Sequence, residues 1–287
     1  MEHPLLIAAF QVGGLFALTY GLVHIAGLQH LPLSTADVPG GTRPQELYLL
    51  NQPLGQVLLQ TTTLSLILCI FAATWATAVG LGGAVFVTSW HGRWFEPAAA
   101  AAALLWVTPT FLLAILVQEL QAQIFGHSGL VVAAGFGDVN PAQVFWAAIV
   151  LGLRPAAYLY RQSRAALNLE LDQDYARTGL AKGLSWQRVV SWHVLRVGAS
   201  GLIASWLNAM RLMIGVLPLV EFFFGYPGLG RVLILAMGIS QQTSAEPVHE
   251  PLVIGIVVVM GLMLAAVEAF ARLLQQRLDP RLWEARG

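Results

Sequence analysis

The chain has 287 residues, of which 57% are hydrophobic and only 10% are charged, and its mean hydropathy is +0.68. Soluble domains carry about a quarter charged residues, so this composition indicates a membrane protein. Fifteen basic and fifteen acidic side chains cancel, so the composition does not suggest binding to nucleic acid. The single cysteine, Cys69, excludes an internal disulfide and a multi-cysteine metal site.

Six apolar stretches are long enough to cross a bilayer, which takes about 20 apolar residues in a helix. We predict one membrane domain over residues 1–287, with spans near Pro4 to Gly27, Val57 to Val87, Ala98 to Leu120, Val144 to Tyr160, Val197 to Phe224 and Leu252 to Leu274. The first stretch has no basic segment before it and no obvious cleavage site. It is therefore expected to be a retained span rather than a signal peptide.

The basic residues predict an orientation for these spans. With a cytoplasmic N-terminus, eleven Lys and Arg residues lie inside, two (Arg43 and Arg231) lie outside, and Arg154 and Arg211 lie within spans. This bias predicts that both termini are cytoplasmic. It also predicts that the charged loop 161–196 lies in the cytoplasm.

The longest charged passage of this loop reads DYARTGLAKGLSWQRVVSWHVLR from Asp174. Gly183 is a natural helix break, and Ser185 is a suitable cap for a second helix. Apolar residues then recur at helical spacing, at Trp186, Val189, Val190, His193 and Val194. The pattern predicts two short amphipathic helices joined at Gly183. It leaves three interpretations open: a basic loop that sets topology, helices lying on anionic lipid, and a docking element.

The order of residues in this loop resembles a known signature. It resembles the cytoplasmic motif of binding-protein-dependent ABC importer permeases, in the dipeptide, oligopeptide and nickel branch. The matching residues are Arg161 and Arg164, then Asp-Tyr at 174, Lys-Gly-Leu at 182 and His-x-Leu-Arg at 193. The resemblance implies a coupling helix within 174–196 that docks on an ATPase subunit. It assigns this role to Asp174, Tyr175, Ala176, Arg177, Ala181, Lys182, Gly183, Leu184, His193 and Arg196.

Two positions of the loop depart from the family pattern. Gly179 and Leu180 stand where family members usually have Ala and Arg. Glycine weakens a helix by up to about 1 kcal/mol, so looser docking is expected.

Other segments extend the resemblance to the C-terminus and, more weakly, to the first half. VEFFFGYPGLGRVL is similar to the external segment after the fifth span, LDPRL to the terminal signature, VTPTFLLAIL to the third-span proline segment, and VPGGTRP faintly to a Pro-Gly-Asp-Pro motif. The first external loop is shorter than is usual for the branch. The gate or pathway residues expected on this basis are Pro109, Arg211, Glu221, Pro227, Gly228 and Gly230. The prolines are compatible with gates or with packing kinks.

Arg211 lies deep in the predicted fifth span, where the family usually has small residues. A charge at mid-membrane costs at least a few kcal/mol and needs a partner or a watery path. Three interpretations stay open: an internal ion pair, for example with Glu119 or Glu221; contact with an anionic or carboxylate-bearing solute; and a span that is placed differently along the sequence.

The resemblance implies an all-α polytopic protein with six transmembrane helices and a cytoplasmic coupling-helix loop, the type I ABC importer permease fold, in a prokaryotic inner membrane. The sequence has no GxxxxGK[ST] motif, so ATP and Mg²⁺ are expected in two partner ATPase subunits, not in this chain. A second related permease, forming a heterodimer, and an extracytoplasmic binding protein are the other expected partners. No cofactor or metal is expected in the chain itself.

The sequence leaves the solute open among peptides, nickel complexes and opine-like molecules. The alternative function is an ion-gradient-driven secondary transporter or a channel. A membrane-embedded enzyme ranks third, because the sequence has no recognisable nucleophile or metal motif.

Overall fold

The computed structural model describes residues 54–90, 96–128, 141–237 and 250–278, and its regular elements there are all helices. In chain order they are α1 (Leu54–Trp90, π-helical at Ala78–Gly82), α2 (Glu96–Val107), α3 (Thr110–Ser128), α4 (Pro141–Leu171), α5 (Asp174–Ala181), α6 (186–197, π-helical at Val189–Val194), α7 (Ala199–Phe223), α8 (Leu229–Ala236) and α9 (Glu250–Leu278). The all-α prediction is confirmed for this part of the chain.

Three of the described helices are long and apolar enough to cross a membrane. They are α1, α7 and the part Pro251–Arg277 of α9. They correspond to the predicted second, fifth and sixth spans, with ends that differ by one to three residues. The predicted first span, Pro4 to Gly27, and the segments VPGGTRP and DPRL lie outside the described residues.

The predicted third span is not one straight helix. The chain leaves helical geometry at Thr108 and Pro109 and bends sharply between α2 and α3. The pair counts as a fourth crossing only if the two helices together form one broken span. Proline lacks a backbone N–H and disfavours helical geometry in the residue before it, which explains the break here.

The predicted fourth span, Val144 to Tyr160, is the middle of a longer helix. The helix α4 runs over Pro141–Leu171 with Pro155 inside it, and it is not among the helices apolar enough to count as a candidate crossing. Arg154, Arg161 and Arg164 contribute to its polarity. Residues 161–171, which the prediction places at the start of the cytoplasmic loop, continue this helix.

The contacts divide the chain into two compact units. The first comprises Met1–Ile70, Phe111–Ala148 and Val216–Ala265. Its described core brings the first half of α1 against the first half of α9. Gly255 of α9 lies so close to Leu58 of α1 that an added Cβ would be 3.1 Å from a Leu58 methyl carbon.

The second unit comprises Phe71–Thr110, Ile149–Gly215 and Ala266–Gly287. Its helices pack at close range: a Cβ added at Gly80 of α1 would lie 2.6 Å from the Ala156 carbonyl oxygen of α4. The Trp206 indole of α7 donates a 3.0 Å hydrogen bond to the Thr77 hydroxyl of α1, and its ring lies 5.8 Å from that of Phe270 in α9. These contacts fix α1, α4, α7 and α9 as the frame of the second unit.

Candidate functional site

The first candidate site is the coupling segment, residues 174–196, which lies within the second unit. Its first helix, α5, ends in a Schellman turn: the Gly183 N–H donates to the Leu180 carbonyl at 2.9 Å, and the Leu184 N–H donates to the Gly179 carbonyl at 3.2 Å. Gly183 has a φ of +83°, a conformation that other residues adopt only at a cost. The predicted helix break at Gly183 is confirmed.

The inner face of the coupling segment is apolar and packs on helices of the same unit. Ala176, Val189 and Val194 are fully buried and form one cluster with Leu167 of α4 and Leu202 of α7, flanked by Leu81 and Val85 of α1. The predicted stripe of α6 is therefore a packing face. Ser185 stands at the predicted cap position, but its side chain makes no capping hydrogen bond.

Two side-chain hydrogen bonds hold the segment to long helices. The Tyr175 hydroxyl donates to the Glu170 carboxylate of α4 at 2.9 Å. The Trp186 indole N–H donates to the Thr88 carbonyl near the end of α1 at 2.9 Å. The segment is thus tied to both α1 and α4.

The outer face of the segment carries charged residues around one large aromatic side chain. Trp192 is 66% exposed, and the Arg196 guanidinium lies 5.7 Å from the centre of its ring. Leu180 is also exposed. Sequence analysis missed Trp192, although its place outside the apolar stripe of α6 was a signal that could have found it.

The predicted coupling residues therefore divide between the two faces. Ala176 is buried; Tyr175, Leu184 and His193 are half-buried; and the exposed ones are Asp174, Arg177, Ala181, Lys182, Gly183 and Arg196.

The second candidate site, the Glu221 clasp, lies in the first unit and consists of Ser65, Glu221, Leu229 and Gly230. Glu221 is fully buried and accepts two 2.6 Å hydrogen bonds, one from the Ser65 hydroxyl of α1 and one from the Gly230 N–H at the start of α8. The Ser65 oxygen in turn accepts the Leu229 N–H at 2.8 Å. The clasp thus satisfies two otherwise unpaired N–H groups at the start of α8.

Two glycines make this arrangement possible. A Cβ at Gly228 would overlap the Glu221 carboxylate, and one at Gly230 would overlap the backbone of Pro218. Tyr226 adds a further tie, because its buried hydroxyl group donates to the Leu64 carbonyl at 2.9 Å. The structure therefore brings Glu221, Gly228 and Gly230 together, with Pro227 half-buried in the turn that precedes them.

The other two predicted pathway residues, Pro109 and Arg211, belong to the second unit. Pro109 is exposed at the break between α2 and α3. Arg211 does form an ion pair, but both suggested partners are wrong: its Nη2 lies 2.6 Å from the Glu268 carboxylate of α9. Glu221 is taken up by the clasp, and Glu119 accepts a hydrogen bond from Gln123.

A metal site is not evident in the residues that the structure describes, where no three His, Cys, Asp or Glu side chains come together as ligands.

The model of the family described as "Binding-protein-dependent transport system inner membrane component" matches residues 80–284. The chain belongs to this family. The matched range contains the coupling segment and, of the clasp, Glu221 and the start of α8. The family predicted from the sequence is confirmed, and the chain is a permease component of an inner membrane.

Individual relatives are consistent with the branch that the sequence indicated. A protein of Brucella abortus (strain 2308), provisionally named as a peptide transport system permease, is 30% identical over 244 residues, covering 82% of this permease and 74% of the relative. The dipeptide transport system permease protein DppB of Escherichia coli (strain K12) is 30% identical over 248 residues, covering 77% and 70%. The glutathione transport system permease protein GsiC of Shigella boydii is 28% identical over 172 residues, covering 58% and 53%.

Proposed function

We propose that this permease forms part of the translocation path of an ATP-driven importer and is coupled to separate ATPase subunits through residues 174–196. The main support for the proposal is that the coupling segment has two different faces. Its inner face is packed and hydrogen-bonded to long helices of its own chain, while its outer face offers charged groups around an exposed tryptophan.

The outer face has the composition of a protein-docking surface. Tryptophan and arginine dominate the binding energy of many interfaces, and Trp192 and Arg196 stand side by side. The acidic Asp174 opens α5, and Arg177, Lys182 and Arg188 add positive charge. A partner with a pocket for the indole ring and acidic residues around it would fit this surface.

The inner face supports a mechanical role. Packed side chains transmit displacement because protein interiors are dense and have few voids. The cluster around Val189 and Val194 contacts α4 and α7, and Trp186 contacts α1. A partner that moves the coupling segment would therefore move the ends of these helices with it.

In this proposal, the other subunits of the transporter are separate protein chains. Two cytoplasmic ATPase subunits bind ATP and Mg²⁺, a second related permease completes the path, and an extracytoplasmic binding protein delivers the solute. The family description and the relatives' names support these partners. They also favour a small peptide or similar molecule as the solute. Both termini and the coupling segment lie on the cytoplasmic side.

We also propose a gate at the segment after the predicted fifth span, which the family resemblance assigns to the external side. The clasp fixes α8 and the turn before it to α1, so opening this segment requires breaking the hydrogen bonds of Glu221 and Ser65. Pro227, Gly228 and Gly230 shape the gate segment. Pro109 and Arg211 contribute to the path in the other unit.

The test is co-purification of the ATPase together with ATP-dependent uptake in membrane vesicles. Trp192→Ala should reduce both by at least about tenfold, as expected for a central aromatic anchor. Phe71→Ala is the control, because Phe71 is 60% exposed but lies in the middle of α1 rather than at the end that contacts the coupling segment. Normal ATPase recovery with Trp192→Ala would reject the docking proposal. Uptake driven by an ion gradient without ATP would instead favour a secondary transporter.

A further inference from the structure

Arg211 occupies the middle of a membrane-crossing helix and is nevertheless accessible. It lies twelve residues from each end of α7, Ala199–Phe223, which is about 18 Å at 1.5 Å per residue. Its side chain is 46% exposed, and that of its partner Glu268 is 33% exposed. A charge at this depth is costly in lipid, so this surface faces water or protein.

The face of α7 that carries Arg211 also differs from a lipid-facing surface. Its exposed positions recur at helical spacing and hold small or polar residues, namely Gly201, Ala204, Asn208, Arg211 and Gly215. No large hydrophobic side chain is exposed anywhere on α7, whereas α1 exposes Phe71 and Phe86 and α9 exposes Ile254 and Val257 among others. Among the described helices, the exposed large apolar side chains that suit contact with lipid thus lie on helices other than α7.

The charges around Arg211 leave an excess of one positive charge. Arg211 contacts Asn208 at 3.0 Å and Glu268 at 2.6 Å, and the other Glu268 oxygen lies 3.7 Å from Arg272. Two arginines thus share one carboxylate. A guanidinium has five N–H donors, and these contacts leave some of them available to a ligand.

We propose that this face of α7 lines the water-filled part of the path and that Arg211 binds the carboxylate of the passing solute. Arginine suits this task because its planar fork matches a carboxylate with two parallel hydrogen bonds. Glu268 and Asn208 hold the guanidinium in place on the exposed face. The inference deepens the proposed function, since a small peptide carries such a carboxylate.

The test uses charged thiol reagents as probes and requires neither uptake nor ATP hydrolysis, so its outcome is separable from that of ATPase docking. Cys69, the single native cysteine, is replaced by alanine, and Gly215 by cysteine. Gly215 has open space for a side chain and lies four residues from Arg211 on the same face, about 5–6 Å away. In native membranes containing the complete transporter, the labelling rates with 2-sulfonatoethyl and 2-(trimethylammonium)ethyl methanethiosulfonate are compared, each relative to a free thiol.

The proposal predicts that Gly215→Cys reacts and prefers the anionic reagent by about tenfold, from Coulomb attraction at this distance in a partly solvated site. Adding Arg211→Gln should abolish the preference, and adding Glu268→Gln should increase it. Val257→Cys, on the exposed apolar side of α9 that we expect to face lipid, should react with neither reagent. Failure of Gly215→Cys to react in the complete transporter would identify the face as a subunit or lipid contact and overturn the proposal. A preference unchanged by Arg211→Gln would overturn it equally.

Discussion

The Ser65 hydroxyl of α1 donates a 2.6 Å hydrogen bond to the Glu221 carboxylate of α7, although 156 positions of the chain separate the two residues. Because the same serine oxygen also accepts the Leu229 N–H, one hydroxyl links three helices of the first unit. Leaving a buried donor or acceptor unpaired costs about 1–3 kcal/mol. The clasp is therefore both a structural tie and a discrete set of bonds that a gate would have to break.

Ser65→Ala should lower the free energy of unfolding by about 1–3 kcal/mol, because the Leu229 N–H loses its acceptor and Glu221 loses one of its hydrogen bonds. Thermal unfolding of the purified permease in nanodiscs measures the effect. Ser205→Ala is the matched control, since the Ser205 hydroxyl only bonds the Gly201 carbonyl of its own helix on an exposed face. Equal melting temperatures for the two variants would contradict the role of the clasp.

Gly228→Ala should destabilise the permease by about 2 kcal/mol or more, because the added methyl group overlaps the Glu221 carboxylate and forces it off its partners. Gly261→Ala in α9 provides the comparison: it places the same methyl group in open space and should be neutral or slightly stabilising. Proteolysis of the turn before α8 gives a local readout. If Gly228→Ala leaves that turn as resistant as in the parent, the packing account of this glycine is wrong.

Gly179→Ala and Gly183→Ala should act in opposite directions, although they are the same substitution four residues apart. At Gly179 the new methyl group meets Val189 and Leu184 at 3.5 and 3.7 Å, which is ordinary contact, so α5 should gain up to about 1 kcal/mol. At Gly183 the positive φ makes alanine cost about 1–2 kcal/mol. Hydrogen exchange of residues 174–184 reports both, and a change of the same sign in the two variants would contradict the Schellman turn.

Trp186→Phe should separate docking from transmission. The substitution removes the indole N–H that reaches the Thr88 carbonyl of α1 but keeps an aromatic ring on the packing side. We expect ATPase co-purification to persist while solute uptake per ATP hydrolysed falls by about two- to fivefold, matching one hydrogen bond of about 0.5–1 kcal/mol. The ratio of uptake to phosphate release is the measurement. An unchanged ratio would show that this hydrogen bond transmits nothing.

The long apolar helices could be predicted closely from the sequence, because hydropathy reports membrane crossing directly. The ends of α1, α7 and α9 differ from the predicted spans by one to four residues. Proline residues predicted the ends of helices less well. Pro109 separates two helices, whereas Pro155 lies inside α4, where Leu151 and Ala156 beside it are buried. Whether a proline ends a helix or lies within it depends on how the helix packs against its neighbours. That packing cannot be read from a single sequence.

Part of each candidate site could also be predicted from the sequence. The break at Gly183 followed from the local pattern, whereas Glu221, Gly228 and Gly230 were identified by the resemblance to the family. The partner of Arg211 did not, because Glu119, Glu221 and Glu268 look alike until the helices are packed. Trp192 was missed because helical periodicity identifies the buried face of α6. It does not indicate which exposed residue a partner protein would contact.

Photo-crosslinking from position 192 tests the central claim most directly. A benzophenone amino acid placed at Trp192 in the complete transporter should crosslink this permease to an ATPase subunit. The same probe at Phe270, an exposed residue of α9, should not form that adduct. A crosslink from position 192 only to lipid or water, with the ATPase subunits present and active, would contradict the proposal that residues 174–196 are where the permease engages its motor.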